Sequence, residues 1–295
     1  MSSPVAFRDV PDDQRSSVLT VEVQGAVATV WLDRPEARNA MGPAFFDQLP
    51  AVIAGLSADP AVRAVVIAAR GPHFTVGLDL KAMAGTLTGA PAPGNDTPAG
   101  GRPASGAARA LVIRQTVRQL QSAISSVADC PKPVICAVHG YCIGGGVDLA
   151  TACDVRLAAA DAVFSVRETK VAIVADLGSL QRLPRIVGAG HAAELALTGK
   201  DVDARRAKDI GLVNDIVDDA EGVVRAARQM AAEMAALSPL AVQGTKAVLA
   251  ANDGRTVAEG LDYVATWNAG MLVSDDLIEA MTAFMEKRPP RFEGN

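Results

Sequence analysis

The chain has 295 residues, of which 49% are apolar and only 4% aromatic, so its core must be built from Ala, Val, Leu and Ile. With a formal net charge of −5 it lacks the basic footprint of a protein that binds nucleic acid or an anionic membrane surface. We therefore expect no nucleic-acid partner and no membrane partner, and any polyanionic ligand must be held by local Arg and Lys side chains.

Four cysteines lie within one segment of the chain, at Cys130, Cys136, Cys142 and Cys153. Their spacing does not fit a C-x-x-C zinc site, so buried reduced thiols and no metal site are the simplest interpretation. Residues 1–17 have neither an apolar signal core nor an Arg-rich amphipathic pattern, and we interpret them as a flexible arm. No apolar run reaches the length of a membrane span. Together these features predict a cytoplasmic protein.

The first predicted elements are a hairpin, a helix and a strand. Residues 18–23 and 27–32 are rich in β-branched side chains and flank a short turn around Gly25, which predicts two antiparallel strands. Pro43 stands where the first turn of a helix would begin, and apolar residues follow it at helical spacing. They are Phe45, Phe46, Leu49, Val52, Ile53 and Leu56. Residues 62–69 are continuously apolar, as expected of a buried parallel strand.

A glycine turn follows this strand, in the run from Gly71 to Leu80. Gly77 can adopt a backbone conformation that a side chain would resist, which leaves the N–H of Leu78 turned outward. Asp79 is placed to cap a short helix after the turn. Residues 85–107 are rich in Gly, Pro, Ala and Thr, and we interpret them as a mobile loop over the site.

The central stretch of the chain is an apolar strand, residues 134–138, that runs into a glycine triplet at Gly144, Gly145 and Gly146. The pattern after the triplet is helical, so bare N–H groups at the helix start should form an anion-stabilising corner. An amphipathic helix is predicted before the strand, over residues 108–127. Its apolar face contains Leu111, Val112, Val117, Leu120 and Ile124.

The remainder of the chain is predicted to be mostly helical. Residues 155–158 and 163–166 read as short strands, and from His191 onward only residues 212–217 interrupt the helical pattern. His139, on the buried side of the second glycine turn, is interpreted as a hydrogen-bonded core residue.

Three carboxylates follow the glycine triplet in mostly small or apolar surroundings: Asp148, Glu168 and Asp176. Oxyanion-stabilising donors beside such acids indicate proton-transfer chemistry. Each acid also has a structural explanation that the sequence leaves open. Asp148 would stabilise its own helix by placing a negative charge near the positive N-terminal end of the helix dipole. Glu168 would form an ion pair with its neighbours Arg167 and Lys170. Asp176 would cap a helix that begins just after it.

Several motifs resemble the enoyl-CoA hydratase/isomerase (crotonase) superfamily. They are GYCIGGGVDLATACDVR, F-x-x-G-x-D-L from Phe74 to Leu80, and R-P-x-x-R-N-A from Arg34 to Ala40. The run V-x-E-x-x-V-x-x-x-A-D-x-G-x-L-Q-R-L-P, from Val166 to Pro184, is similar to the dienoyl-CoA isomerase branch. The resemblance implies an α/β fold. Residues 18–200 would form a spiral of strand-strand-helix units, and residues 201–295 a helical region that joins subunits into homotrimers or hexamers.

The resemblance also implies the site residues. The oxyanion hole falls on the main-chain N–H groups of Leu78 and Gly145, and the catalytic acids are Asp148, Glu168 and Asp176. Contacts to the coenzyme A part of the substrate are expected at Ala37, Arg38, Ala40, Val76, Gly77, Asp79, Leu80 and Gly144. Near the C-terminus, Lys287 or Arg288 would reach the phosphates of a substrate bound to a neighbouring subunit.

Of the three acids, Asp176 distinguishes between two related reactions of the family. In hydratases of this family two glutamates share a water, whereas here the first position holds Asp148, which is one methylene shorter. Dienoyl-CoA isomerases have an aspartate at the position of Asp176, where hydratases usually have a small residue. The resemblance therefore implies an isomerase of fatty-acid β-oxidation that converts 3,5-dienoyl-CoA to 2,4-dienoyl-CoA. Asp176 would be the base at C2 and Glu168 the acid at C6.

Two alternatives stay open. The first is an enoyl-CoA hydratase, a lyase that adds water to a 2-enoyl-CoA. The second is a non-catalytic homologue that binds coenzyme A or RNA, although the acidic balance argues against RNA and the retained carboxylates argue against a scaffold. Because coenzyme A is part of the acyl-CoA substrate, we expect no separate cofactor and no metal.

Overall fold

The computed structural model describes residues 17–85 and 105–295. The strands within these ranges are β1 (Leu19–Gln24), β2 (Val27–Leu32), β3 (Ala64–Ala69), β4 (Val134–Val138), β5 (Tyr141–Ile143), β6 (Val155–Ala159), β7 (Val163–Ser165), β8 (Val202–Asp203) and β9 (Asp215–Val217). The main sheet has the order β1-β2-β3-β4-β6-β9, and a second sheet has the order β5-β7-β8. In the main sheet β1 is antiparallel to β2, and the other neighbouring pairs are parallel.

The helices surround these sheets. They are α1 (Pro43–Ala58), α2 (Gly106–Ala128), α3 (Gly145–Ala152), α4 (Ser179–Val187), α5 (Ala189–Thr198), α6 (Ala204–Asp209), α7 (Ala220–Ala235), α8 (Pro239–Ala251), α9 (Val257–Met271) and α10 (Asp275–Glu286). Single turns of 3-10 helix cover Pro35–Ala37 and Glu168–Val171. The predicted α/β fold with a helical C-terminal part is therefore confirmed.

The predicted hairpin and first helix are confirmed as well. The two strands of the hairpin pair from Leu19 opposite Leu32 to Gln24 opposite Val27, on either side of a turn in which Gly25 has φ +59°. Helix α1 begins with Pro43, whose missing N–H costs nothing at a helix start. The predicted apolar face of α1 is buried apart from Val52, which is half-buried.

The main sheet separates two hydrophobic cores because side chains alternate along each strand. On β3, Val65 and Ile67 face the larger core beneath α1 and α2, whereas Ala64 and Val66 face a smaller core beneath α7. Alanines dominate the buried face of α7, so this helix can approach the sheet closely. The carboxyl ends of the parallel strands β3 and β4 then lead into the two glycine turns, side by side.

The strand-strand-helix spiral is visible around the glycine triplet. Strand β4 is followed by β5 and α3, and β6 is followed by β7 and then α4, with β5 and β7 paired in the second sheet. The sequence did not predict β5, because a three-residue strand has too few side chains to show a period. Strand β9 lies beyond residue 200 yet pairs with β6. The division of the chain at residue 200 stays a prediction.

Helix α2 corrects one prediction. It begins at Gly106, and its buried residues are confined to its last turns. Leu111 and Val112, which the spacing placed on the buried face, are 63% and 56% exposed. The residues that the sequence marked as a flexible arm and a mobile loop lie almost wholly outside the described part of the chain, at 1–16 and 86–104.

All four cysteines are buried free thiols, as predicted. Among the described residues there is no cluster of three or more His, Cys, Asp or Glu side chains that could hold a metal ion. Over the same residues, no single helix is long and apolar enough to cross a membrane. Helices α7 and α8, which meet at 108°, pass that length and composition test only as a bent pair.

Candidate active site

The first glycine turn presents the N–H of Leu78. Gly77 has φ +87°, and a Cβ there would lie 2.6 Å from the carbonyl oxygen of Ile143, so only glycine fits. Met41 N–H donates to the oxygen of Gly77 at 2.8 Å, and Asp79 N–H donates to the oxygen of Met41 at 2.9 Å. This pairing turns the intervening Leu78 N–H to the other side. Within residues 17–85 and 105–295 it donates no hydrogen bond.

The second glycine turn presents the N–H of Gly145 beside it. Gly144, at φ +53° and ψ −115°, turns the chain so that α3 begins at Gly145. The Gly145 N–H likewise finds no acceptor in the described part of the chain. A Cβ built on Gly145 would lie 3.9 Å from the nitrogen of Leu78, so the two amides are neighbours. Two adjacent free amides form the geometry of an oxyanion hole.

The two segments predicted to contact coenzyme A lie against each other. Val76 N–H donates to the oxygen of Arg38 at 3.2 Å. Arg38 and Asn39 both have left-handed backbones, with φ of 51° and 55°. The buried Asn39 amide holds this conformation, because its Nδ2 donates to the main-chain oxygens of Arg70 and His73, each at 2.9 Å. Sequence reasoning did not single out Asn39, although it lies within the R-N-A motif.

Asp79 caps the turn, as predicted. Its Oδ1 accepts the N–H of Ala82 at 3.0 Å, and its Oδ2 lies 3.6 Å from Nη1 of Arg34. The Asp79 carboxylate is therefore engaged in holding the turn, which leaves its main chain for a ligand. Leu80 follows with 47% of its surface exposed.

Asp148 is the most buried of the three acids, with 1% of its surface exposed. It lies in the first turn of α3, but its Oδ1 accepts the N–H of Ser179 at 2.5 Å, at the start of a different helix, α4. Burial raises the pKa of the Asp148 carboxyl to about 6, although the Ser179 N–H and the Arg182 guanidinium favour its ionised form. Asp148 therefore also binds the start of α4, in addition to any favourable interaction with the dipole of its own helix α3.

Glu168 lies against the second glycine turn. A Cβ on Gly144 would be 3.2 Å from Oε1 of Glu168, and Oε2 is buried with no hydrogen-bond partner. Burial, reinforced by the charges of Asp148 and Asp176, raises the pKa of the Glu168 carboxyl to about 7.

The expected ion pair of Glu168 with its neighbours in sequence is wrong. Arg167 is bonded to Asp201, with Nε 3.2 Å from Oδ1, and Glu168 forms no ion pair within the described ranges. A half-buried, unpaired glutamate beside a bare helix N-terminus is suited to proton transfer.

Asp176 completes the group of acids. Its main-chain oxygen accepts Nε2 of Gln121 at 2.7 Å, which ties this loop to α2. Partial burial raises the pKa of its carboxyl. The capping alternative is wrong, because α4 begins at Ser179 with Gly178 as its N-cap and has no side-chain cap. The acid is therefore not needed to end or begin a helix.

Arg182 is a site residue that sequence reasoning missed. Its guanidinium packs over Gly178, where a Cβ would lie 1.9 Å from Nη1, and Gly178 has φ +128°. Nη2 donates to Oγ of Ser125 at 3.1 Å, and the positive charge favours ionisation of Asp148. Arg182 thus supports the turn between Asp176 and the Ser179 N–H. Its position in the Q-R-L-P motif was the available signal.

Lys287 and Arg288 are not brought to the site of their own chain. Arg288 pairs with Glu279, with Nη1 2.6 Å from Oε1, and Nε is also bonded to Glu286. The tail beyond α10 contacts Arg63, which directly precedes β3 and therefore lies at the opposite end of this strand from the glycine turns. A basic pair near the C-terminus was a weak signal because most such residues are solvated or paired. Contact with a neighbouring subunit's substrate stays a prediction.

A spiral α/β fold with two free amides beside one buried and two half-buried carboxylates defines an enzyme of acyl-thioester enolate chemistry. The chain belongs to the enoyl-CoA hydratase/isomerase family, whose model matches residues 22–92 and 94–295. The enoyl-CoA hydratase of Bacillus anthracis has the same fold, with a TM-score of 0.82 and 28% identity over 94% of this chain and 100% of that chain.

Two relatives point to one branch of the family. The chain is 42% identical to the peroxisomal Delta(3,5)-Delta(2,4)-dienoyl-CoA isomerase of Arabidopsis thaliana, over 93% of this chain and 95% of that protein. It is 40% identical to the mitochondrial enzyme of the same name from Homo sapiens, over 97% of this chain and 84% of that protein. The cytoplasmic prediction is contradicted, since these relatives are named peroxisomal or mitochondrial. Buried thiols and an acidic balance suit any reducing compartment and do not distinguish between them.

Proposed function

We propose that the chain is a dienoyl-CoA isomerase of fatty-acid β-oxidation, which converts 3,5-dienoyl-CoA to 2,4-dienoyl-CoA. The observation that carries the proposal is the presence of Asp176 as a third acid, with a raised pKa, beside Asp148 and Glu168. The 40–42% identity to enzymes named for this reaction supports it.

The two free amides would hold the thioester carbonyl oxygen. When a proton leaves C2, negative charge develops on this oxygen, and each preorganised donor is worth about 2.7–4 kcal/mol to that state. The N–H groups of Leu78 and Gly145 stand side by side, as preorganised donors to the oxygen of the dienolate must.

Glu168 is the acid that we assign to C2. Carbon C2 is bonded to the carbonyl carbon, whose oxygen lies at Gly145, and the Glu168 carboxyl contacts Gly144 directly before that donor. We therefore propose the reverse of the order that the resemblance implies, which assigns C2 to Asp176. Ionised Glu168 takes the C2 proton, and the electron pair spreads over the dienolate.

Asp176 then acts at C6, with Asp148 in support. In the state in which Asp176 holds the shared proton and Glu168 is ionised, the Asp176 carboxyl donates its proton to C6, which moves the double bonds into conjugation with the thioester. The enzyme is left with the proton on Glu168 instead of Asp176, and exchange with water restores the first state. The pKa values of all three acids are raised, so the group can hold one proton near neutral pH. Every step uses protein carboxyls and amides, so the proposal includes no separate cofactor.

A homotrimer or hexamer is proposed for the assembly. Helices α8, α9 and α10 expose a large apolar surface that would be costly to leave in water. Its members are Leu249, Leu261, Met271, Leu272, Ile278, Met281, Phe284 and Met285. Light scattering at several protein concentrations should give three or six times the mass of the protomer.

Hydration of 2-enoyl-CoA is the second candidate, because Asp148 and Glu168 together could hold a water. A paired absorbance assay separates the two reactions. Purified protein is offered a 3,5-dienoyl-CoA and, separately, a 2-enoyl-CoA. We expect a rise in conjugated dienoyl absorbance that Asp176→Asn abolishes and that the exposed control Asp253→Asn leaves unchanged. Loss of enoyl absorbance without diene formation, retained in Asp176→Asn, would identify a hydratase.

A further inference from the structure

The segment that carries Asp176 has little support from the main chain. Residues 174–178 lie between the single turn Glu168–Val171 and α4. Across the described residues, the N–H and carbonyl groups of residues 174–177 form no hydrogen bond with another main-chain group. The first such bonds are at Gly178, whose oxygen accepts the N–H groups of Gln181 and Arg182. Asp176 must therefore be held in place by side chains.

Apolar packing fixes this segment only in part. Ala175 and Leu177, on either side of Asp176, are buried, with 5% and 3% of their surface exposed. Packing of this kind has no preferred direction, so it anchors the segment but does not set the orientation of the residue between the two. A hydrogen bond is directional and can set that orientation.

One hydrogen bond of ordinary length reaches the segment. Nε2 of Gln121 donates to the main-chain oxygen of Asp176 itself, at 2.7 Å. Within the described part of the chain, the other side-chain donor to residues 174–177 is Arg182. Its Nη1 lies 3.4 Å from the oxygen of Leu177, which is longer than a usual N–H···O bond. Gln121 therefore makes the stronger contact, and it makes this contact at the acid.

Helix α2 gives Gln121 a fixed support. Gln121 is half-buried and lies in the last turns of α2, where this helix enters the core. Ser125, one turn further along the same face, accepts Nη2 of Arg182 at 3.1 Å. One face of α2 thus contacts both ends of the stretch from Asp176 to Arg182.

The other two acids do not depend on Gln121. Asp148 lies within α3 and accepts the N–H of Ser179. Glu168 begins a 3-10 turn, and its main-chain oxygen accepts the N–H of Ile173 at 2.9 Å. Loss of the Gln121 bond should therefore move Asp176 and leave the other two carboxyls in place.

We propose, on the basis of the isomerase function proposed above, that Gln121 is a positioning residue for Asp176. Its hydrogen bond aims the Asp176 carboxyl at C6, and Gln121 acts through the main chain of Asp176 and not on the reacting atoms. An acid must stand within about 2.6–3.2 Å of the atom that it protonates. A misplacement of about 1 Å can lower a rate by about 100-fold. The bond should consequently affect protonation at C6 and spare proton removal at C2, which is assigned to Glu168.

A matched pair of variants on α2 provides the test. Gln121→Met removes the donor but keeps a side chain of similar length and helix preference. Gln119→Met makes the same change at an exposed position of the same helix. Wild type and both variants are incubated with a 3,5-dienoyl-CoA in D2O. Absorbance follows the conjugated diene, and mass spectrometry measures deuterium at C2 of the recovered substrate.

The result expected for Gln121→Met is a selective loss of the second step. Its kcat for diene formation should fall at least tenfold, with KM within twofold of wild type. Its ratio of C2 exchange to diene formation should rise at least tenfold, whereas Gln119→Met should match wild type. A smaller fraction of folded protein lowers both rates equally and leaves this ratio unchanged. The ratio therefore distinguishes positioning of Asp176 from a general loss of structure.

A ratio for Gln121→Met equal to that of Gln119→Met would overturn the role of Gln121. If Gln121→Met does not fold, Gln121→Asn decides in the same way, because its amide is one methylene shorter and loses the 2.7 Å contact. Absence of diene formation by wild type would instead contradict the isomerase function itself. The two failures are therefore distinguishable.

Discussion

Replacing Glu168 with glutamine should stabilise the protein at alkaline pH while it abolishes isomerase activity. Burial raises the pKa of the carboxyl from its ordinary 4.5 to about 7. The folded state holds this proton more tightly than the unfolded state, so the contribution to stability is present below about pH 4.5 and is lost as pH rises through about 7. At about 1.4 kcal/mol per pKa unit, the ceiling is about 3 kcal/mol.

Water reaches part of the Glu168 side chain, so we expect about 2 kcal/mol of the ceiling to appear between pH 5 and pH 8.5. Urea unfolding at fixed protomer concentration measures this for wild type and Glu168→Gln. Wild type should lose more free energy of unfolding than the variant over that range. Glu279→Gln is the control, because the Arg288 guanidinium lowers the pKa of Glu279 to about 2. Its contribution is lost only below about pH 4.5, so the pH dependence of this variant should follow that of wild type between pH 5 and pH 8.5. Parallel pH curves for wild type and Glu168→Gln would refute the reasoning.

Three further predictions follow from named contacts. Arg182→Gln removes a charge that favours ionised Asp148, so the pKa of Asp148 should rise above about 6 and the acidic limb of kcat/KM should move to higher pH; an unmoved limb would contradict this. Gly77→Ala places a Cβ 2.6 Å from a carbonyl oxygen, and kcat should fall about 100-fold if the Leu78 donor is lost, as steady-state kinetics would show. Gly140→Ala meets a carbonyl oxygen at 2.2 Å and should cost about 1–3 kcal/mol in urea unfolding, whereas Gly190→Ala, with open space, should not.

Local chemistry made the turns and helix starts predictable. Gly77 and Gly144 were predicted to turn the chain at the ends of apolar strands, and both have the positive φ that glycine tolerates. Pro43 was predicted to begin α1 for the same kind of reason, since its fixed φ suits a first helical position. These features depend on one residue and its near neighbours, so the sequence contains enough information to place them.

Long-range contacts were not predictable in the same way. The donor to Asp148 is the N–H of Ser179, a main-chain group present in almost every residue, so no sequence pattern marks it. The proposed order of the acids along the substrate likewise depends on a contact that no motif marks, because Glu168 follows β7 and Gly144 follows β5, the neighbouring strand of the same sheet. Leu111 shows the limit of periodicity, since apolar spacing on α2 continues past the end of the core.

The most direct test follows the fate of the C2 proton. A 3,5-dienoyl-CoA is incubated in D2O with wild type, Glu168→Gln or Asp176→Asn, and mass spectrometry and NMR locate the deuterium. We predict that Asp176→Asn exchanges C2 hydrogens of the unreacted substrate without forming the 2,4-diene, whereas Glu168→Gln does neither. Exchange at C2 that persists in Glu168→Gln and vanishes in Asp176→Asn would contradict the proposed order of the two acids, and rapid diene formation by both variants would contradict the carboxylate mechanism itself.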